Sequence, residues 1–417
     1  MALEVRAPES GKPFAGVVLS GGGASGAYEV GVLKALLTAG ERPFDPRVFA
    51  GTSIGSFNAA FLVSQWDGQG RLAIANLEAL WRETLSRPLG GSGRANGMFR
   101  FRGSPLDLLD PAAYLPNPLR PLGRLAEDGA FFLFEAMRRI SYLGLSPENL
   151  LQRAGNLFDV GLLLATEPWE ELTGAIDFSA IRHSTRALRI AATNWQTGEL
   201  RVFANRDMTN ETGPLAIQAS SAIPGLLPLV RIGSEPHVDG GVVMNTPLNL
   251  AIKAGVDELH AVYLDPAVRA IPTATLGSTL DSAYRQQVIS WAKVMNEDIE
   301  TARWVNRTLR ALQLLREDAR AKPGEVDWLV GELDVEGRKP LTIHRYHPHD
   351  DLAGGALGML NFDRRHVERL IERGFDDARH HDCDESGCVL PDGEERLPEV
   401  LPPVPPLPPS TAPRGGG

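Results

Sequence analysis

The stretch Gly51-Thr52-Ser53-Ile54-Gly55 decides the fold, because it sets a serine between two glycines where a strand gives way to a helix. Residues 47–50 before it are mostly apolar, as in a buried strand, and residues 56–65 after it carry apolar side chains at helical spacing. The two glycines suit a turn that is too tight for side chains. The pattern predicts a nucleophile elbow, with Ser53 projecting from the sheet above a helix N-terminus.

A glycine-rich loop lies upstream of the elbow, and it also stands between a predicted strand (16–20) and a predicted helix (27–37). The loop reads Gly-Gly-Gly-Ala-Ser-Gly from Gly21 to Gly26. Glycines leave backbone N–H groups unshielded at the start of a helix, and such groups bind anions. The loop therefore fits either a phosphate or the oxyanion of an acyl-transfer intermediate.

Two known phosphate-binding motifs, the P-loop and the dinucleotide-binding motif, also contain a glycine-rich loop between a strand and a helix. The loop of this chain lacks the Gly-Lys-Ser/Thr ending of a P-loop. It does match G-x-G-x-x-G, but a dinucleotide site also needs an acidic residue at the end of the second strand. That strand ends in Ala50 and Gly51, and Asp45 lies before it. The oxyanion interpretation is therefore favoured.

The order of predicted elements indicates an α/β fold, because strand, helix, strand and helix alternate over residues 16–65. Further strands are predicted at 160–165, 188–193, 200–204, 258–264 and 341–345. Further helices are predicted at 72–85, 214–222, 246–254, 278–315 and 364–379. Alternation of this kind is typical of a mainly parallel sheet covered by helices.

A third motif is Asp239-Gly240-Gly241, directly after a predicted strand end at residues 237–238. Glycines next to an aspartate permit a tight turn that can aim the carboxylate into a site. An isolated Asp-Gly is more often an ordinary turn. The looser sequence Asp128-Gly129-Ala130 has no strand before it, so Asp239 is preferred.

In this order, the glycine loop, the Gly-x-Ser-x-Gly serine and the Asp-Gly-Gly aspartate resemble the patatin-like phospholipase family. The flanking stretches 192–198, 219–225 and 245–247 look like the usual surroundings of those motifs. The resemblance covers residues 14–265 and implies a three-layer α/β/α fold with a mainly parallel central sheet. The chain departs at Ser25, where the family usually has Arg or Lys, so a fixed positive charge near the oxyanion or lipid headgroup is missing.

The resemblance implies a serine–aspartate dyad that cleaves acyl esters of phospholipids or lysophospholipids. Ser53 would attack the ester carbonyl, Asp239 would take its proton directly, and loop N–H groups would hold the oxyanion, with Ile54 as a further candidate donor. The loop glycines so assigned are Gly21, Gly22, Gly23 and Gly26, with Gly22 and Gly23 foremost, and the supporting glycines are Gly51, Gly55, Gly240 and Gly241. An ordinary aspartate has a pKa of about 3.9, so the mechanism requires a desolvated carboxylate with a raised pKa.

Three alternatives stay open. A Ser-His-Asp triad on an α/β-hydrolase fold needs a histidine after the acid, but it leaves the glycine loop and the Asp-Gly-Gly turn unexplained. The candidate histidines are His260, His344, His347, His349 and His366. The residues at 344–349 are expected to be exposed, and His260 to be packed within a strand. A non-catalytic scaffold with the same fold, or an acyltransferase with the same dyad, would also account for the sequence.

Composition excludes several classes of protein. The 417 residues carry a net charge of -10, unlike a nucleic-acid binder. The chain has no apolar run of the length a membrane helix needs, and residues 1–13 lack the apolar core of a secretory signal. A cytoplasmic protein is therefore expected. The lipid substrate that the resemblance implies adds an expectation of peripheral contact with a membrane.

The sequence predicts three regions: a catalytic domain at 14–265 with a candidate lid insert at 66–150, a helical C-terminal extension at 266–382 packed on it, and a flexible Pro/Gly-rich tail at 383–417. No cofactor is expected. His380 and His381 stand close to Cys383 and Cys388, but their spacing matches no strong zinc pattern, so no metal is expected either.

Overall fold

The fold is given by a computed structural model, which describes residues 14–38, 44–66, 69–86, 99–101, 119–141, 164–166, 172–264, 279–317, 327–328, 330, 333, 338–352 and 356–391. The predicted leader 1–13, much of the candidate lid and the predicted tail after residue 391 lie outside the described residues.

An eight-stranded sheet forms the centre of the molecule. The strands of the chain are β1 Ala15–Leu19, β2 Val48–Thr52, β3 Phe99–Phe101, β4 Leu164–Thr166, β5 Ala187–Asn194, β6 Leu200–Ala204, β7 Val230–Ile232, β8 Glu235–Asp239, β9 Glu258–Val262 and β10 Thr342–Tyr346. The main sheet has the order β10-β9-β1-β2-β5-β8-β7, and β6 pairs with β5. The first five of these strands are parallel, whereas β8, β7 and β6 add antiparallel pairs.

Helices cover this sheet. They are α1 Gly26–Thr38, α2 Ile54–Gln65, α3 Gly70–Leu80, α4 Arg120–Ser141, α5 Phe178–His183, α6 Thr212–Ser220, α7 Leu248–Ile252, α8 Thr279–Glu317, α9 Arg364–Arg379 and α10 Cys383–Ser386. Short helical turns occur at Gly23–Ser25, Trp81–Leu85, Asn205–Asp207, Gly240–Val242 and Ala356–Leu360. Most of the predicted strand at 160–165 lies outside the described residues, and its described end pairs with β3 in a separate small sheet.

Two hydrophobic cores lie on opposite faces of the sheet. Along β1, Val17 and Leu19 face the core beneath α1, α2, α3 and α9, whereas Val18 faces the core beneath α7 and α8. Because both faces are covered, the parallel strands are apolar on both sides, which explains their continuous hydrophobic runs. The expected three-layer α/β/α architecture with a mainly parallel sheet is confirmed.

The sheet does not end with residue 265. Strand β10 pairs in parallel with β9, and α9 packs along α1, so the region predicted as a helical extension supplies a strand and a covering helix of the same body. Sequence reasoning treated this region as an addition because a strand that pairs across a long separation leaves no local signal of its partner. The domain boundaries themselves stay predictions.

The predicted flexible tail begins too early. Residues 383–386 form α10, and Val389, only 2% exposed, pairs with Ile343 of β10 through two backbone hydrogen bonds of 2.8 and 2.9 Å. These residues are anchored because Val389 buries its side chain against the sheet edge. The expectation of a tail from residue 383 was therefore wrong for residues 383–391.

Helices α1 and α9 approach each other at two glycines. A Cβ atom on Gly31 would overlap the backbone carbonyl of Ile371, and one on Gly374 would overlap that of Tyr28. The Tyr28 hydroxyl also donates a 3.0 Å hydrogen bond to Asp377. The contact between these helices therefore depends on the absence of side chains at both positions.

The candidate lid divides into two parts. Residues 70–85 belong to the core, since Leu77 and Trp81 are fully buried. Helix α4, in contrast, carries exposed apolar side chains, including Leu133 at 62% and Phe134 at 63% exposure. Within the described helices, none has the length and hydropathy that crossing a bilayer requires.

Candidate active site

Strand register brings the three motifs to one place. Leu19 lies beside Gly51, so the glycine loop after β1 and the elbow after β2 leave the sheet together. On the other side of β2, Thr52 lies beside Ala191, and the next residue of β5 pairs with Asp239. The loop, the serine and the aspartate therefore meet at the carboxyl end of the parallel strands, where α/β sheets usually place their sites.

Ser53 occupies the strained position of the elbow. Its φ of 54° and ψ of -126° make it the only non-glycine with positive φ among the described residues. A Cβ on Gly51 would overlap the carbonyl of Gly55, and one on Gly55 would overlap that of Leu19. These overlaps explain why a glycine stands two residues to each side of the serine.

Hydrogen bonds hold the elbow from outside the motif. The Ser53 N–H donates to the Ser220 hydroxyl at 2.9 Å, and that hydroxyl donates to the carbonyl of Ala191 at 2.6 Å. The Thr52 hydroxyl donates to the carbonyl of Met244 at 3.0 Å. Ser220 is a positioning residue that sequence reasoning did not single out, although it lies in the 219–225 stretch that resembles the family.

Asp239 ends strand β8 and is only 6% exposed. Its carboxylate accepts a 2.7 Å hydrogen bond from the Gly241 N–H and a hydrogen bond from the Ser53 hydroxyl. Burial raises the pKa of this carboxyl to about 7, and these two hydrogen bonds oppose the shift without cancelling it. The structure thus brings Ser53 and Asp239 together, and the carboxyl has the raised pKa that the mechanism requires.

The glycine loop lies directly against the serine. A Cβ on Gly21 would come within 3.1 Å of the Ser53 Cβ and would collide with the Asn245 side chain. Gly23 has a φ of 58° and lies so close to Met359 that any side chain would overlap its carbonyl. The loop therefore needs glycine both for its backbone conformation and for its close approach to Ser53.

The four predicted oxyanion-hole glycines differ in whether their N–H groups already donate a hydrogen bond within the protein. The Gly21 N–H donates to the carbonyl of Asn245 at 3.2 Å, and the Gly26 N–H donates within the loop, to Ala24 and Gly23. Within the described part of the chain, no group accepts a hydrogen bond from the Gly22 or Gly23 N–H. Both glycines belong to the loop that approaches Ser53 at Gly21.

A family model described as Patatin-like phospholipase matches residues 17–252, more than half of the 417-residue chain. The chain belongs to the patatin-like phospholipase family. The matched segment holds the glycine loop, Ser53 and Asp239. The family accounts for the order of these three motifs along the sequence.

Known proteins resemble this patatin-like chain to different extents. Lysophospholipase nte1 of Aspergillus terreus (strain NIH 2624 / FGSC A1156) is 41% identical over 75 residues, which is 17% of this chain and 5% of that protein. VipD from Legionella pneumophila has a TM-score of 0.35 at 18% identity, over 88% of this chain and 66% of that one. The type III effector protein ExoU has a TM-score of 0.22 at 17% identity, over 88% and 78% of the two chains.

A buried polar network connects the two helices that follow the glycine loop and the elbow. The Glu29 carboxylate, fully buried in α1, accepts hydrogen bonds from Asn58 at 2.8 Å and from the Ser20 backbone. Burial raises the pKa of Glu29 well above its ordinary value. The Trp81 indole donates to the Asn58 amide oxygen at 2.9 Å, so the network joins the start of α1 to α2 and to residue 81.

Helix α8 also reaches the site. The Trp291 indole N–H donates a hydrogen bond to the carbonyl of Gly241, in the turn that carries Asp239. The tryptophan is far from the motif along the chain, and its helical pattern indicates only an amphipathic helix. Sequence reasoning therefore had no signal that would link it to the aspartate.

The histidines of the rival triad lie elsewhere. His260 is buried in β9, where it contacts Glu258 and Tyr346, as its place within a strand predicted. His344, in β10, and His347 are half-buried, and only His349 of the three histidines at 344–349 is exposed. The expectation that these residues are exposed was therefore wrong for His344 and His347. Among the described residues, the hydrogen-bond partners of the Asp239 carboxylate are Ser53 and Gly241, and no histidine is one of them.

Groups with metal-ligand chemistry occur away from this site. The described residues contain two such clusters, and both include His344. Strand β10 is separated from β2 by β9 and β1, which corresponds to about 14 Å at ordinary strand spacing. Neither cluster includes Ser53 or Asp239, so both clusters are separate from the candidate active site.

Proposed function

We propose that this protein is a serine lipid acyl hydrolase of the phospholipase A or lysophospholipase type. The single observation that carries the proposal is the placement of the Ser53 side chain next to the buried Asp239 carboxylate, at the carboxyl end of the sheet. Family membership supports the class of substrate. The lysophospholipase similarity supports it further, although it covers only 5% of that relative.

In the first half of the reaction, the Ser53 oxygen forms a bond to the ester carbonyl carbon while Asp239 takes the serine proton. The carbonyl oxygen becomes an oxyanion, which the N–H groups of Gly22 and Gly23 stabilise, with Ile54 at the helix N-terminus as a further donor. The intermediate collapses when its bond to the alcohol oxygen breaks. Asp239 returns the proton to that oxygen, and the lysolipid or headgroup alcohol leaves.

In the second half, water replaces the alcohol. Asp239 takes a proton from the water as its oxygen attacks the acyl carbon. The bond between this carbon and the Ser53 oxygen breaks, the serine recovers the proton from Asp239, and the fatty acid leaves. An alcohol that took the place of water would give a new ester, so the same residues would serve an acyltransferase.

We place the reaction at a lipid surface. Exposed apolar side chains on α4, such as Leu133, Phe134 and Met137, offer the contact, because apolar side chains at an aqueous surface favour burial in lipid. This helix lies within the candidate lid, and we include the lid function in this proposal. Cytoplasmic location and the absence of nucleic-acid binding also stay predictions.

The decisive experiment combines a fluorophosphonate probe with hydrolysis of phosphatidylcholine and lysophosphatidylcholine vesicles. We expect labelling and fatty-acid release from the wild type, and the loss of both in Ser53→Ala. Asp239→Asn should keep its fold and lose turnover by about two to four orders of magnitude, as is usual for a missing general base. Ser64→Ala, in the same helix as the elbow, is the matched control and should behave as wild type.

The outcomes separate the alternatives. A new ester formed when an alcohol acceptor is added would assign acyl transfer. Near-normal turnover of Asp239→Asn would exclude the dyad. Loss of turnover when a single late histidine is replaced in the otherwise wild-type chain would exclude it as well. A folded wild type that is neither labelled nor active on vesicles would favour the non-catalytic scaffold.

A further inference from the structure

Four side chains of metal-binding type meet at the outer edge of the sheet. They come from different parts of the chain. His344 lies in the middle of β10, and His381 follows the end of α9. Cys383 begins α10, and Cys388 directly precedes Val389, the residue that pairs with Ile343. Each is half-buried, and one ligand atom from each lies within 4.8 Å of the others. Both cysteines are free thiols.

The distances in this cluster match those between ligands of one tetrahedral metal ion. Cys383 Sγ lies 3.5 Å from His344 Nδ1 and 3.6 Å from His381 Nε2. Cys388 Sγ lies 3.4 Å from the same His381 nitrogen. Bonds of 2.3 Å to sulfur and about 2.0 Å to nitrogen in a tetrahedron separate the ligand atoms by about 3.3 to 3.8 Å.

Each histidine also has the outer partner that a metal ligand requires. His344 turns Nδ1 toward Cys383, and its other nitrogen, Nε2, lies 3.4 Å from the Glu258 carboxylate. His381 turns Nε2 toward both cysteines, and its Nδ1 lies 3.2 Å from the Ser386 hydroxyl. A carboxylate or hydroxyl that hydrogen-bonds one ring nitrogen keeps the proton on that nitrogen. The other ring nitrogen, which faces the cysteines, is then free to bind a metal ion.

The sulfur of Cys388 has an outer partner as well. The backbone N–H of Arg345 donates to Cys388 Sγ at 3.3 Å. An N–H directed at a sulfur stabilises a thiolate, which is the form that binds metal. Gly387, with a φ of 64°, supplies the left-handed turn that returns Cys388 toward Cys383.

We propose that His344, His381, Cys383 and Cys388 hold one structural zinc ion. Two imidazoles and two thiolates in a tetrahedron form the ligand set that selects zinc, and four protein ligands leave no open position for a substrate. The earlier expectation of no metal considered only the ligands near residue 383. His344 lies in another strand, so no sequence spacing could include it.

The ion fastens the C-terminal segment to the sheet. Its ligands join β10 to the chain after α9, next to the place where Val389 pairs with Ile343. This pairing covers the outer side of β10, which would otherwise expose unpaired backbone groups. Zinc therefore stabilises an edge of the sheet and takes no part in the chemistry at Ser53.

The test is metal analysis of the full-length chain, purified under reducing conditions without chelator. We expect about one zinc ion per chain after gel filtration, with release when a mercurial reagent blocks the thiols. Replacement of zinc by Co²⁺ should give the strong visible absorption and thiolate charge-transfer bands of tetrahedral cobalt. The cobalt spectrum is recorded on the wild type, so it does not depend on a variant that folds.

Variants locate the ion. Cys383→Ser and His344→Ala should lose the zinc and the cobalt spectrum, and Glu258→Gln should weaken zinc binding by roughly 10- to 100-fold without changing the ligand set. His380→Ala is the matched control, because its exposed ring follows α9 directly before His381 and hydrogen-bonds the Asp376 carbonyl, outside the cluster. It should retain full zinc content.

Two results would overturn the proposal. One is a wild type, purified under reducing conditions, that retains no zinc and gives no tetrahedral cobalt spectrum. The other is zinc retained equally by Cys383→Ser and by the wild type. Neither result bears on the serine hydrolase, because the fluorophosphonate experiment reads a different site.

Discussion

Asp239 shows how burial changes the acidity of an ordinary carboxyl group. Its carboxyl is almost closed to water, and within the described ranges its polar partners are the Gly241 N–H and the Ser53 hydroxyl. Such a carboxylate holds its proton more tightly than one in water, which brings its pKa to about 7. A base of this strength suits proton transfer from serine near neutral pH.

The first prediction concerns the pH dependence of turnover. Because the reaction needs ionised Asp239, kcat/KM should fall about tenfold per pH unit below about pH 7 and level off above it. Steady-state hydrolysis of a soluble lysolipid from about pH 5 to about pH 9 measures this. A rate that stayed constant down to about pH 5 would contradict the raised pKa.

The second prediction concerns stability. The pKa of Asp239 is higher in the folded than in the unfolded chain, so ionisation destabilises the fold, with no cost below about pH 4 and the full cost above about pH 7. Asp239→Asn should therefore be more stable than wild type at pH 8, and this advantage should shrink toward pH 4. Urea unfolding of both proteins across this range measures the difference, and Ser64→Ala controls for general effects of substitution.

Local motifs were sufficient to predict which residues meet at the candidate site, because the elbow, the loop and the Asp-Gly-Gly turn each need small residues at fixed places. Their supports were not predictable in the same way. Ser220 holds the Ser53 N–H from another helix, and Trp291 reaches Gly241 from α8. Such contacts depend on how elements pack and leave no spacing in the sequence.

At the scale of elements, the crossing of α1 and α9 is the contact most sensitive to added atoms. Gly374→Ala would press its Cβ into the Tyr28 carbonyl, which belongs to a backbone that cannot move aside cheaply. We expect a loss of about 1–3 kcal/mol in the free energy of unfolding, as for overpacked interiors. Chemical denaturation measures it.

Gly129→Ala is the matched control for this third prediction. Gly129 also lies in a helix, but nothing stands within 4 Å of its Cβ position. Alanine there should be neutral or stabilising by up to about 1 kcal/mol, because glycine is a poor helix former. Equal effects of the two substitutions would show that helix propensity, and not the close crossing, governs the result.

The elements with regular local patterns were predicted well, and the strand–helix–strand–helix start is confirmed. Helix α8 was also recognised, from apolar residues at helical spacing. The role of β10 was missed because Thr342–Tyr346 alone does not reveal that it pairs with β9. The predicted tail failed for a related reason, since Val389 is ordered by its partner Ile343 and not by its own composition.

For the whole molecule, the fourth prediction is that the part of the chain up to residue 265 does not fold alone. A chain ending at residue 265 would lose β10 and α9, which exposes the edge of β9 and the apolar side of α1. We expect it to aggregate or to unfold without cooperativity. Solubility, gel filtration and thermal unfolding monitored by circular dichroism measure this.

A chain ending at residue 391 is the control for the truncation. It keeps every described strand and helix, including α10 and the Val389 pair. It should therefore unfold cooperatively, like the full chain. A soluble, cooperatively folded chain ending at residue 265 would show that the later strand and helix are dispensable.

The hydrogen bond from Trp291 to the Gly241 carbonyl has a practical consequence. The fluorescence of an indole ring depends on the polarity and hydrogen bonding around it. The Trp291 indole is hydrogen-bonded to the turn that follows Asp239. Trp291 is thus a native fluorophore that senses movement of Asp239. The difference in emission between the wild type and Trp291→Phe would isolate its signal and report ligand entry in real time, without any attached dye.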